Sequence, residues 1–167
     1  MTRDNVNELL ANHRTNTGRC LYLEAEIDRL RGEINRAKAN LAMDVATAHN
    51  YELSDMPRGS AVGQPTERLG LRLASGWTPD YISDMERELA GLEREHRERA
   101  TRRTFVEAWL NGLAERERWL IEQQVIDGVY WRDVLIRYRR KFGADCSLDT
   151  LKRVKAKALD TIYDMAR

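Results

Sequence analysis

Apolar residues recur every three or four positions over most of the chain, the spacing of helices that bury one stripe and solvate the rest. From Leu23 onward, Ile27, Leu30, Ile34, Ala37, Leu41 and Val45 alternate steps of four and three. This is a heptad seam, flanked by Glu24, Glu26, Arg29, Arg31, Glu33 and Arg36. A second seam runs through Ile82, Met85, Leu89, Leu92 and His96. Thr78-Pro79-Asp80 starts it, with a Thr N-cap, Pro at the first helical position and an acid in the first turn. The spacing carries this helix on through Arg99, Val106 and Leu110. Between the seams, Met56-Pro57-Arg58-Gly59 and Gly63-Gln64-Pro65 mark a linker near residues 54–66. Thr66 then caps a short helix through Ala74, closed by Gly76. Ahead of everything, Val6, Leu9 and Leu10 predict a short helix from Asp4, broken over Asn16 to Gly18.

Three further stripes follow. Leu110, Leu113, Leu120, Ile121 and Val125 form one, ended by Asp127-Gly128, where Gly takes the left-handed C′ conformation. Trp131, Val134, Leu135, Tyr138 and Phe142 form the next, ended by Gly143. Leu148, Leu151, Val154, Ala158, Ile162 and Met165 form the last, with Ser147 as its N-cap. At about 100° per residue, Asp149, Arg153, Ala156 and Lys157 point away from that stripe, and Thr150 and Lys152 lie on its shoulders. Three helices joined by Gly-containing turns, the last one basic, predict a helix-turn-helix whose final helix suits a DNA major groove. The expected fold is all-α. A helical hairpin or coiled coil over 1–100 precedes a helix-turn-helix domain over 101–167. The two seams pair either within the chain as an antiparallel hairpin or between subunits as a homodimer.

These residues resemble the sigma-70 region 4 pattern. Leu113-Ala-Glu-Arg-Glu117 is similar to its "L-x-x-R-E" opening, Gly128-Val-Tyr-Trp-Arg-Asp-Val134 to its middle, and Lys155-Ala-Lys-Ala-Leu159 to its "A-K-A-L" close. More narrowly they resemble the RinA/ArpU group of phage late-gene activators, which often carry Trp at the Trp131 position. Met56-Pro-Arg-Gly and Pro65-Thr-Glu-Arg68 extend that resemblance upstream. Gly143-Ala-Asp-Cys146 departs from it, implying a longer second helix or a looser turn. The resemblance implies a transcriptional activator acting with RNA polymerase on double-stranded DNA. It puts the base-reading positions on Leu148, Asp149 and Arg153, with Lys152 beside them. Asp149 would accept from a cytosine amino group and Arg153 would donate two bonds to guanine. Leu148 replaces the usual polar residue and offers a thymine methyl contact at most. Arg139, Arg140, Lys141, Ser147, Lys155 and Lys157 are the phosphate candidates, which set register without reading sequence.

Charge agrees with this placement. Residues 78–127 carry 8 Lys/Arg against 12 Asp/Glu, whereas residues 129–167 carry 10 against 5. The basic excess therefore collects where the helix-turn-helix is expected, and gives a salt-dependent attraction to phosphate. The net charge of +1 argues against a general nucleic-acid condenser. Arg137, Arg139, Arg140 and Lys141 also complement the dipole at a helix end, which is their alternative reading. Trp109, Trp119 and Trp131 read as core or interface anchors, with Trp131 the strongest core candidate.

Other chemistries find little support. His13, His49 and His96 lack ligand spacing, and Cys20 and Cys146 form no CxxC motif, so no metal or disulfide framework is expected. No phosphate loop or nucleophile motif is present, and neither enzymatic activity nor a cofactor is expected. No apolar run approaches the ~20 residues that span a bilayer, and Met1-Thr-Arg-Asp starts no signal peptide. A cytoplasmic protein is the resulting expectation. Two alternatives remain at this level: a DNA-packaging protein similar to phage small terminase subunits, and a polymerase-binding module with little DNA affinity.

Overall fold

A computed structural model describes residues 1–51 and 77–167, with side chains for 1–43 and 77–167. The described elements are α1 (Arg3–Ala11), α2 (His13–Tyr51), α3 (Asp80–Asn111), α4 (Glu115–Ile121), α5 (Trp131–Phe142) and α6 (Leu148–Met165). A π-helical turn, Glu122–Ile126, extends α4. The protein is all-α, with no strand among the described residues. The linker near 54–66, the helix from Thr66 to Ala74, and the side chains of Val45 and His49 lie outside the described residues.

The chain divides into two compact units, Met1–Tyr22 with His96–Arg167, and Leu23–Glu95. This differs from a boundary at residue 100, because the first 22 residues join the C-terminal unit. In the unit Leu23–Glu95, the seam residues Leu30, Ile34 and Ile82 bury one another, with Ala37, Leu41, Met85, Leu89 and Leu92 packed alongside. Arg31 Nη2 pairs with Glu93 Oε1 at 2.7 Å, and Lys38 Nζ with Glu86 Oε1 at 2.7 Å. A step of one heptad forward on α2 matches one heptad backward on α3, so these segments run antiparallel. Within this chain the two seams thus face each other as an antiparallel hairpin.

The other unit holds two cores. Val6 and Leu10 of α1 bury against Val106, Trp109, Leu110 and Leu113, with Ile121, Ala158 and Ile162 completing the cluster. Leu120, Val134, Tyr138 and Leu151 form the second cluster. Polar ties hold α1 to α6 as well: Arg3 lies 3.5 Å from Asp160 and over the Tyr163 ring, and the Tyr163 hydroxyl donates to Asn7 at 2.8 Å. Thr2 caps α1, its side chain accepting from the Asn5 amide.

Two predicted boundaries move. The N-terminal break falls at Asn12, and α2 runs unbroken through Asn16 to Gly18. Asn16 is buried and accepts from Arg99 Nη1 at 3.0 Å, while the Thr17 hydroxyl donates back to the His13 carbonyl. Tertiary contacts there outweigh weak helix propensity. Conversely, the stripe from Leu110 to Val125 is not one helix. It breaks at 112–114, where the Glu117 carboxylate accepts from the Ala114 amide at 3.4 Å and starts α4. At this corner a Cβ on Gly112 would come within 2.6 Å of Met165 Sδ, the flexible end of an exposed side chain that would have to move aside.

Two tests follow from this packing. Leu10 is fully buried in the core that seats α6. Leu10→Ala should cost about 2–5 kcal/mol, read as a lower denaturation midpoint followed by α6 signals. The second concerns His13, half-buried at the start of α2. Burial lowers its pKa, Arg103 lowers it further, and Glu107 and Glu122 oppose. The unfolded chain therefore takes up the proton first, near the ordinary pKa of about 6.5. Stability is fully present above that pH and is lost as pH falls towards the depressed folded value. Chemical denaturation at successive pH values should show this decline, and His13→Gln should flatten it.

Candidate nucleic-acid interface

The candidate residues lie on α5, α6 and the turn between them. Gly128 and Gly143 take positive φ, 64° and 60°, as their C-terminal positions require. Helix α5 ends at Phe142 and α6 begins at Leu148. The longer connection is therefore a looser turn, Gly143 to Ser147, rather than an extended helix. Ser147 Oγ accepts from the Thr150 amide at 3.2 Å, the expected N-cap. Ala144 and Cys146 pack from the turn onto the second core.

Helix α6 buries Leu151, Ala158 and Ile162. Opposite them Asp149, Arg153, Ala156 and Lys157 are exposed, as are Thr150 and Lys152 on the shoulders. Arg153, Lys152 and Asp149 make no ion pair or hydrogen bond among the described residues, and neither does exposed Arg140 on α5. Leu148 is half-buried.

The remaining phosphate candidates are already engaged. Lys157 Nζ lies 3.3 Å from Glu117 Oε1 on α4. Lys155 is half-buried with its Nζ over the Trp131 ring, and the loss of water lowers its pKa. Arg139 bonds within the turn, to the Cys146 carbonyl at 2.9 Å and near Asp145 Oδ1 at 3.0 Å. Lys141 Nζ lies over the Phe142 and Trp119 rings at 5.3 and 5.8 Å. Ser147 spends its oxygen on the cap. The surface is thus a small group of free charges, Arg140, Lys152 and Arg153, beside cations that also brace the structure.

The tryptophans divide differently from expectation. Trp109 is the buried one, in the first core, and Trp131 sits half-buried at the edge of the second. Trp119 anchors an aromatic group, 5.7 Å from both Tyr138 and Phe142 between ring centroids. Helix α5 also exposes Arg132, which has no partner among the described residues, and Tyr130 before it is 83% exposed. Sequence reasoning missed both, although helical phase from Val134 and Tyr138 already puts Arg132 on the outer face.

Elsewhere, a cleft of about 470 Å³ is lined by His13, Glu107, Asn111, Arg118, Glu122 and Asp127, among others. Its charges are largely paired, Arg118 with Glu122, Arg103 with Glu107 and Arg14 with Asp127. Among the described residues no His, Cys, Asp and Glu gather in a group that could hold a metal. No described helix is long and apolar enough to cross a membrane.

The cap is open to a direct test. Ser147→Ala should destabilise the C-terminal unit by about 1 kcal/mol, whereas Ser147→Asp should restore most of the loss. Thermal denaturation of the three proteins measures this.

Compared with protein-family models, curated proteins and solved structures, the chain matches none.

Proposed function

We propose that this protein is a sequence-specific DNA-binding transcriptional regulator, similar to the phage late-gene activators, in which α4, α5 and α6 act as a sigma-70 region 4-like helix-turn-helix. The carrying observation is the exposed face of α6, where Arg153, Lys152 and Asp149 stand free opposite the buried Leu151, Ala158 and Ile162. An exposed guanidinium on a helix suits bidentate donation to guanine in the major groove, and Asp149 suits a cytosine amino group. Leu148, half-buried, adds an apolar contact at the edge. Arg140 supplies a phosphate contact that holds register, and Lys141 adds one from its place over the Phe142 and Trp119 rings. Ser147, Lys155 and Lys157 contribute to phosphate binding only from positions where the fold already holds them.

On this reading the protein acts in the cytoplasm with RNA polymerase as its protein partner, and needs no catalytic chemistry or cofactor.

The test begins by selecting duplexes from a randomised library with the wild-type protein. About three to four phosphate contacts should give a log–log salt slope of about −3 to −4. A flat salt response with an intact fold would refute DNA binding. Arg153→Ala should leave the melting temperature nearly unchanged, yet cost roughly 1–3 kcal/mol on the selected duplex and relax preference at one base pair. Equal loss on the selected duplex, a single-base variant and a random duplex would mean that α6 does not read sequence through Arg153.

A further inference from the structure

The turn between α5 and α6 is longer than the three or four residues of a standard helix-turn-helix. A longer tether by itself leaves the start of α6, ahead of its first buried residue Leu151, less constrained. Arg139 bridges it. Its Nη2 donates to the Cys146 carbonyl at 2.9 Å and lies 3.0 Å from Asp145 Oδ1. Cys146 immediately precedes the Ser147 cap, so the bond fixes the backbone where α6 begins. The other end is firmly based, because Tyr138 beside Arg139 is buried and packs on Trp119 and Phe142. Ala144 and Cys146 seat the inner side of the turn, and Arg139 closes its outer side.

A phosphate at this guanidinium would meet the Asp145 carboxylate, which is 91% exposed and only 3.0 Å away. Like charge makes this a poor phosphate position, whereas neighbouring Arg140 carries no such partner. The exposed ion pair contributes little by itself; the bond to the carbonyl does the holding.

We infer that Arg139 is a positioning residue that holds the first turn of α6, with Asp149 and Lys152, in the place from which it meets DNA, and that sequence discrimination depends on it although it touches no nucleotide. This rests on the DNA-binding reading above.

Three variants test it: Arg139→Lys keeps the charge, Arg139→Met removes it, and Asp145→Asn removes the repulsive carboxylate. Amide hydrogen exchange is followed in the free protein over residues 144–151. Affinity is measured for the library-selected duplex and for a random duplex across a salt series. Arg139→Lys and Arg139→Met should both speed exchange at Thr150 and Leu151 about tenfold, with the rest of the unit protected. Both should lower the selected-to-random affinity ratio about tenfold. Random-duplex affinity and its salt slope should stay near wild type.

A phosphate ligand behaves otherwise. Arg139→Lys would then bind like wild type, Arg139→Met would weaken both duplexes equally with a slope shallower by about one unit, and Asp145→Asn would tighten both. Any of these results, or unchanged exchange, overturns the inference. A wild-type protein that enriches no duplex sinks the DNA-binding reading and this inference together. A wild type that selects normally, with an Arg139→Lys variant that selects equally well, sinks the positioning role alone.

Discussion

Helix α6 is shared between two hydrophobic cores, and the C-terminal unit depends on this constraint. Leu151, near its start, closes the cluster with Leu120, Val134 and Tyr138. Ala158 and Ile162, further along, close the cluster that holds Val6, Leu10 and Val106. A rigid helix docked at two places along one stripe has no freedom to roll about its axis. The outward direction of Arg153 and Lys152 is therefore set by burial and not by any contact of their own. The free energy resides in the apolar face, at roughly 1.5–3 kcal/mol per large side chain removed from water, and the polar face remains available.

The charges on the basic third divide by what already holds them. Lys157 faces Glu117, Arg139 spans the turn, and Lys155 lies along Trp131. Each couples α6 or its turn to a neighbouring element. A count of Lys and Arg overstates the number of cations free to meet a phosphate, since several carry out structural work first. What stands clear is a small group, and its most distinctive member is an arginine on the outward face of a well-anchored helix.

The first helix illustrates how distant segments complete this arrangement. Residues 3–11 have the pattern of a short amphipathic helix and little else. Folded, Val6 and Leu10 fill the first core and Arg3 and Asn7 reach Asp160 and Tyr163 at the far end of the chain. Within the same unit, Arg99 of α3 donates to the buried Asn16 of α2 at 3.0 Å, a second tie between the start of the chain and its C-terminal part.

Local signals were legible in the sequence. Apolar periodicity identified helices at 82–110, 131–142 and 148–165, Gly143 the stop of the second and Ser147 the cap of the third, because propensity, spacing and capping act over a few residues. The same periodicity put Arg153 outside and Lys152 on a shoulder of the stripe. Long-range facts were not legible. Whether the heptads paired within the chain, that Val6 and Leu10 belonged beside Ile162, that Trp109 and not Trp131 was buried, and that Arg139, Lys155 and Lys157 were engaged all required the third dimension. Side chains far apart in sequence choose partners by which faces the packed backbone brings together, and helical phase cannot state that choice. Sequence alone decided which residues α6 would turn outward; tertiary structure decided which of them remained free.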